Sequence, residues 1–353
     1  MNKTTRILIG IIVLWIGVVS ALHFGMNVNW SILINDRLPA AQRKLYVAYI
    51  PVTCHLTCPV TDYISMRSKS GNLFIPRMFQ GFPEIKEALI ANKVQAGFMV
   101  APMAIALRSQ GVPVKVVYLG HRYGSAVVVR KDGPIKSPAD LRGRTIAVPS
   151  RFSDERLIVF RVLKKFGIRP NEVKMVEMAP PDVAAALAAR AIDAFSMGEP
   201  YPSQAEIGGY GRVLFHAREY WPDYMSCVLV VRQDVIDSRP DAVQVLVDGI
   251  ARSGLWLDKG RPYREHAADF VGRFYYHQDP KLLRWALTNP LDRVRYTPLS
   301  PFKPDFDLIR DLMIETHVLD HSIEFSEYVD TRFAEGAKLQ TAWVYEPGDF
   351  EAR

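Results

Sequence analysis

Apolar and polar positions follow two different rhythms along most of this chain. Short apolar runs at 44–51 (KLYVAYIP), 71–76, 95–100 and 114–119 read as strands. Stretches at 61–70, 82–92 and 103–110, whose apolar residues recur every three or four positions, read as the helices between them. The order repeats after Arg130. Ser137-Pro138-Ala139-Asp140-Leu141 opens a helix with Pro in its first turn, while 145–148, 173–178 and 192–196 read as strands. Residues 154–166 and 181–190 read as helices, the first stopped by Gly167. Strands that alternate with helices in this way become parallel strands with crossover helices, an α/β sheet covered on both faces.

Beyond Pro240 the pattern turns helical. Val243, Leu246, Val247, Ile250, Gly254 and Leu257 keep the spacing of one buried helix face. Further helices are expected at 263–274, 280–287, 305–319 and 325–334. The chain is expected to cross from the first α/β unit to the second near 118–129 and to return near the apolar run at 225–231. Two such units joined by two crossings, with a helical C-terminal layer, describe a hinged clam-shell that holds a ligand between its lobes. The expected division is 44–122 plus 230–340 for lobe I, 123–229 for lobe II and 341–353 for a C-terminal tail.

The N-terminus carries a different signal. Lys3 and Arg6 precede about 18 uncharged residues, from Ile7 to Phe24, in which only Ser20 and His23 are strongly polar. Residues 1–26 are therefore a signal peptide or a membrane anchor, and 27–43 a polar spacer. Val19-Ser20-Ala21 has the small-residue pattern a signal peptidase accepts, and no Cys follows for lipid attachment. Either way the chain is exported, to the periplasm or to the outer side of the inner membrane. The 353 residues are 49% hydrophobic and 23% charged, enough for two domains. A net charge of +7 arises from 44 basic residues spread among 37 acidic ones, without a basic block, so nucleic acid is not an expected partner.

The order of motifs resembles one family closely, the periplasmic binding proteins of the nitrate, taurine, alkanesulfonate and bicarbonate type, which include pyrimidine-precursor binders. The matching segments are Tyr49-Ile50-Pro51-Val52-Thr53, then Asp140-Leu141-Arg142-Gly143-Arg144-Thr145-Ile146-Ala147-Val148-Pro149, and Ile192-Asp193-Ala194-Phe195 followed by Gly198-Glu199-Pro200. Phe166-Gly167-Ile168, Val173-Lys174-Met175-Val176 and Ala185-Ala186-Leu187 fall in the same order. The resemblance extends from about Lys44 to about Phe333. It implies a type II periplasmic-binding fold that closes on one small ligand and presents it to the permease of an ABC importer.

Ligands of open α/β sheets sit where strand ends give way to helix N-termini, because the amides there are unsatisfied. The loop after the first strand reads Thr53-Cys54-His55-Leu56-Thr57-Cys58-Pro59. In similar proteins this loop gives hydroxyls and amides to an anion, so Thr53, Cys54, His55, Thr57 and Cys58 are candidate ligand contacts. Its cysteines depart from the family pattern, and three readings stand open. Cys54, His55 and Cys58 line a pocket for an organic ligand, or Cys54 and Cys58 form a disulfide, or the three hold a soft metal such as Cu(I) or Zn. The order C-H-x-x-C is not that of haem attachment. His121 and Cys227 lie on the two crossings and can approach the same cleft. Pro102 and Met103 follow the third strand, and Ser150 and Ser153 stand before a helix, an anion-binding arrangement. Glu199 ends a strand that faces the cleft in similar proteins, and it serves either the ligand or the bracing of a loop. Tyr123 and Arg122 are hinge candidates, whereas His216, His277, His317 and His321 carry no functional expectation.

The expected function is solute capture for an ABC importer, with no catalysis and no cofactor beyond that soft metal. An enzyme like the pyrimidine synthases, which share the fold and use an active-site His beside a Cys-rich segment, is the main alternative. A membrane-tethered sensor of a ligand or metal is the other.

Overall fold

The computed structural model describes residues 2–27, 30–69, 71–337 and 343–347. The chain forms two units, Met1–Lys44 and Leu45–Arg353, each described by itself.

In the first unit, α1 (Lys3–Asn27) is a continuous helix with its apolar residues exposed. At about 1.5 Å per residue its length exceeds the roughly 30 Å of a bilayer's hydrocarbon core. Among the described residues, Lys3–Met26 is the helix long and apolar enough to cross a membrane, with a mean hydropathy of 2.5. The expected polar spacer holds a second helix, α2 (Trp30–Arg37). Residues 30–37 contain neither Gly nor Pro, and the helix ends just before Pro39. Asn35 then grips the backbone of Lys44 twice, accepting from its N–H at 2.7 Å and donating to its carbonyl at 3.1 Å.

The second unit is the expected two-lobed α/β fold. Its first sheet contains β1 (Tyr46–Tyr49), β2 (Ile75–Met78), β3 (Ala96–Val100) and β4 (Val114–Tyr123). The chain then builds a second sheet from β5 (Ser125–Arg130), β6 (Thr145–Val148), β7 (Lys174–Glu177), β8 (Ala194–Gly198) and β9 (Gly211–His216). It returns to the first with β10 (Met225–Arg232) and β11 (Val294–Arg295). The strand orders are β11-β4-β10-β3-β1-β2 and β7-β6-β8-β5-β9. β1 lies parallel to β2 and β3, and β6 parallel to β7 and β8, while β10 and β5 run antiparallel to their neighbours. The helices α3 (Thr57–Arg67), α4 (Phe82–Ile90), α5 (Ala101–Ser109), α6 (Asp154–Lys165), α7 (Val183–Ala188) and α8 (Tyr201–Ile207) follow strands β1, β2, β3, β6, β7 and β8. Strands such as β1 and β3 are buried on both faces, as parallel strands covered by helices must be.

Residues 225–229, expected in the second lobe, are hydrogen-bonded into the first sheet between β3 and β4. An unbroken apolar run marks a doubly buried strand but does not say which sheet takes it. β9 and α8 were not expected from the periodicity, and 125–130 was expected only as crossing chain. The two crossings touch: Tyr123 N–H donates to the Tyr224 carbonyl at 3.0 Å. Tyr123 and Gly124 both have positive φ, 67° and 76°. A Cβ on Gly124 would lie 2.7 Å from Val294 Cγ1 and 2.8 Å from His121 Cε1, so this turn requires glycine.

The C-terminal layer contains helices Pro240–Leu257, Arg261–Val271, Pro280–Thr288 and Lys303–Glu315, close to expectation. Residues 325–334 form two short helices, Phe325–Tyr328 and Arg332–Glu335, in place of one. Of the tail expected at 341–353, only 343–347 lie within the described residues.

Candidate functional site

The loop after β1 is built to stay in place. Three successive carbonyls accept side-chain donors from the C-terminal layer: Pro51 from Gln278 at 3.2 Å, Val52 from Tyr276 at 2.8 Å and Thr53 from Tyr296 at 2.9 Å. Thr53 N–H donates to the Glu199 carbonyl at 2.8 Å, which ties the loop to the end of β8 in the other sheet. The Thr53 hydroxyl meets His121 Nε2 at 3.0 Å. Thr53, His55, Thr57 and Cys58 are fully buried, and the Thr57 hydroxyl has no partner among the described residues.

Both histidines of the site are uncharged. His55 Nδ1 accepts the Ile50 N–H at 2.8 Å, and its ring packs against Phe82 and Phe98. A neutral imidazole that accepts at Nδ1 carries its proton on Nε2, so the buried Nε2 is a donor. Burial holds the His55 pKa well below its ordinary value, and His121 beside it adds to the effect. Burial depresses His121 to about 3, and the charge of Arg264 adds to it.

Cys227 stands opposite His121 in the β10–β4 ladder, and its Sγ lies 2.8 Å from Cys54 Sγ. Cys54, His55 and Cys227 bring ligand atoms within 4.8 Å of one another. The expected metal set was Cys54, His55 and Cys58. Cys58 is not part of that cluster; it lies in the first turn of α3, where burial and then the nearby Asp62 push its thiol up. No Cys54–Cys58 bridge forms: all three cysteines are free thiols, and the one that meets Cys54 is Cys227.

The remaining candidates divide. Pro102 and Met103 lie buried in the first turn of α5, where Pro102 removes one amide from the helix end. Ser150 and Ser153 each accept a local backbone amide, from Phe152 at 3.1 Å and Arg156 at 3.2 Å, so Ser153 is the N-cap of α6. Glu199 is taken up by protein contacts: Arg293 donates to Oε1 at 2.6 Å and Ser203 N–H to Oε2 at 3.1 Å. Arg293 belongs to the C-terminal layer, so this buried ion pair joins it to the end of β8.

Two acidic residues were missed from the sequence. Asp154 and Glu155 open α6 and are almost completely buried, with both oxygens of Asp154 and Oε2 of Glu155 lacking partners among the described residues. Ser125 donates to Glu155 Oε1 at 3.2 Å. Burial pushes Glu155 up to about 7, and burial followed by the charge of Glu155 pushes Asp154 well above the carboxylate range. The Ala101 amide that starts α5 in the first lobe faces Asp154 and partly offsets this. Tyr224, fully buried, senses both carboxylates and Cys227. A Ser-Asp-Glu sequence after a strand was available as a signal, but acidic residues in a first helical turn usually only complement the helix dipole.

Helix starts after β1, β3, β6 and β8 are joined across the two sheets by the Thr53–Glu199 bond and by the Ala101 amide at Asp154. A separate cavity of about 660 Å³ beside Tyr123, lined by Arg218, Asp258, Arg264 and Arg295, contains none of the ligand candidates.

The model of one family, described as the NMT1-like family, matches residues 39–272. The chain belongs to the NMT1-like family. The taurine-binding periplasmic protein of Escherichia coli (strain K12) is 33% identical over 200 residues, 55% of this chain and 59% of that protein. The match thus spans less than two thirds of that relative. A ligand binding component of an ABC-type import system from Staphylococcus aureus, solved with zinc bound, shares the fold with a TM-score of 0.76. It is 21% identical and covers 84% of this chain and 99% of its own. The desulfurization enzyme DSZB has the same fold at a TM-score of 0.59 and 15% identity, covering 82% of this chain and 97% of its own.

Proposed function

We propose that this chain is the solute-binding component of an ABC importer, held outside the inner membrane by α1, and that its solute carries a protonated amine. The observation that carries the ligand class is the buried pair Asp154 and Glu155, in which both oxygens of Asp154 and Oε2 of Glu155 have no partner among the described residues. Burial holds both acids toward their protonated forms, and a cationic donor would restore the charged carboxylates, whereas a bare oxyanion would oppose their ionisation. Taurine, the solute named for one relative, combines an amine with a sulfonate, which supports this reading. The amine would meet Asp154 and Glu155, and the opposite end of the solute the hydroxyls of Thr53 and Thr57. Closure about Tyr123, Gly124 and Tyr224 would present the loaded form to a permease. The length of α1 favours retention as an anchor, since cleaved signals carry apolar cores of about 7–15 residues.

The enzyme reading rests on the fold shared with DSZB. Against it, the Thr53–His121 pair resembles a nucleophile and base, but a base with a pKa near 3 leaves the hydroxyl protonated at neutral pH.

Calorimetric titration with taurine, isethionate and nitrate tests the proposal. Isethionate replaces the amine of taurine with a hydroxyl. Binding of taurine with at least a tenfold preference over isethionate and nitrate is the expected result. Equal or tighter binding of nitrate or isethionate would overturn the amine assignment while leaving the solute-binding role intact, and turnover of any of them would overturn that role.

A further inference from the structure

We propose that Cys54 and Cys227 are a redox pair that closes to a disulfide, tying the ligand loop after β1 to strand β10. Their sulfurs lie 2.8 Å apart although 173 residues separate them in the chain, and both residues are at least nine-tenths buried. The backbone around them is shaped for this approach. Gly120 on β4 lies directly beneath the pair: a Cβ there would collide with the Cys54 carbonyl oxygen and come within 3.2 Å of Cys227 Cβ. A glycine at this position is what lets the loop descend onto β10. The other use for two thiols here is a metal held with His55, and the experiment below separates the two. Cys58 has no part in it: it lies buried in the first turn of α3, near Asp62.

The reaction is thiol–disulfide exchange. Each thiol gives up one proton and one electron, a sulfur–sulfur bond forms between Cys54 and Cys227, and the two electrons and two protons reduce a disulfide oxidant to two thiols. The oxidant belongs to the class of disulfide-bearing oxidoreductases of oxidising compartments, or to oxidised glutathione in vitro. Because both sulfurs are shielded once the lobe has packed, exchange takes place during folding. A tie across so long a loop restricts the unfolded chain strongly, and it fixes Thr53 and His121 in register. The cellular setting rests on export, but the chemistry does not depend on the solute.

The full chain, unfolded in reductant and refolded with oxidised glutathione, is then denatured and alkylated. One alkylated thiol per chain, a mass two hydrogens below the reduced form, and a tryptic cross-link between residues 45–67 and 219–232 are expected. The cross-link persists in Cys58→Ser and disappears in Cys227→Ser. Three alkylated thiols would overturn the proposal. So would a disulfide within residues 45–67 in place of the cross-link, or a zinc or copper adduct in native mass spectrometry that keeps all three thiols reduced. Counting is done on denatured protein, so the result holds even where a variant folds poorly.

Discussion

Tyr296 donates its hydroxyl to the Thr53 carbonyl at 2.9 Å, a bond between residues 243 positions apart that fixes the ligand loop from the C-terminal layer. Both residues are fully buried. Tyr296→Phe removes only the donor and leaves a buried carbonyl short of a partner. It is expected to lower stability by about 1–3 kcal/mol, read as a reduced midpoint in urea with an unchanged slope. Solute affinity should fall with it, because Thr53 loses one of its restraints.

Acid should destabilise the second unit earlier than its carboxylates alone would require. His55 and His121 are buried and neutral, with His121 held to about 3. The unfolded chain binds protons on both near its ordinary histidine pKa, while the folded chain does not. Stability is therefore complete above about pH 6.5 and declines as pH falls below it. Urea unfolding at pH 7.5 and pH 5 should show the loss, and His55→Asn together with His121→Gln should remove most of this pH dependence. An unchanged slope in the double variant would refute the assignment.

Glu155 acts in the opposite sense. Its folded pKa, about 7, lies above that of an unfolded glutamate, so the native state holds the extra proton between the two. Its contribution is present at low pH and fades as pH rises to about 7. Glu155→Gln should therefore gain stability at pH 8, on the order of 3 kcal/mol, and little at pH 4. The same variant should weaken taurine binding at pH 8 at least tenfold, which separates a ligand contact from a purely structural acid.

The Arg293–Glu199 pair is buried on both sides, with Ser203 completing the carboxylate's contacts. Arg293→Ala strands the carboxylate and should cost about 3–5 kcal/mol. Removing both charges with Arg293→Met and Glu199→Gln should recover much of that loss. Thermal unfolding of the two variants beside the parent gives the comparison.

Deletion of residues 2–26 should release the protein from the membrane fraction, whereas the full chain should resist carbonate extraction and keep its N-terminal residues. Recovery of a shortened chain in the soluble fraction, starting near residue 22, would mean that the segment is a cleaved signal.

The α/β alternation was readable because each lobe follows one rule locally, apolar runs for doubly buried strands and a repeat of three to four residues for their helices. The export segment was readable for the same reason, as a continuous apolar stretch needs no tertiary context. Candidate loops could be named from strand ends, and Thr53, Cys54, His55, His121 and Cys227 do gather there. What each does there was not local. Cys54 is four residues from Cys58 and 173 from Cys227, yet it is Cys227 that meets it, because β10 inserts between β3 and β4 and brings it opposite His121. Glu199 looked available to a ligand until Arg293 arrived from the C-terminal layer. Asp154 and Glu155 looked like an ordinary first helical turn until packing between the lobes removed their water. Sequence periodicity determined the elements and the fold class. Strand order and desolvation, which depend on residues far apart in the chain, decided which polar groups are left facing the cleft.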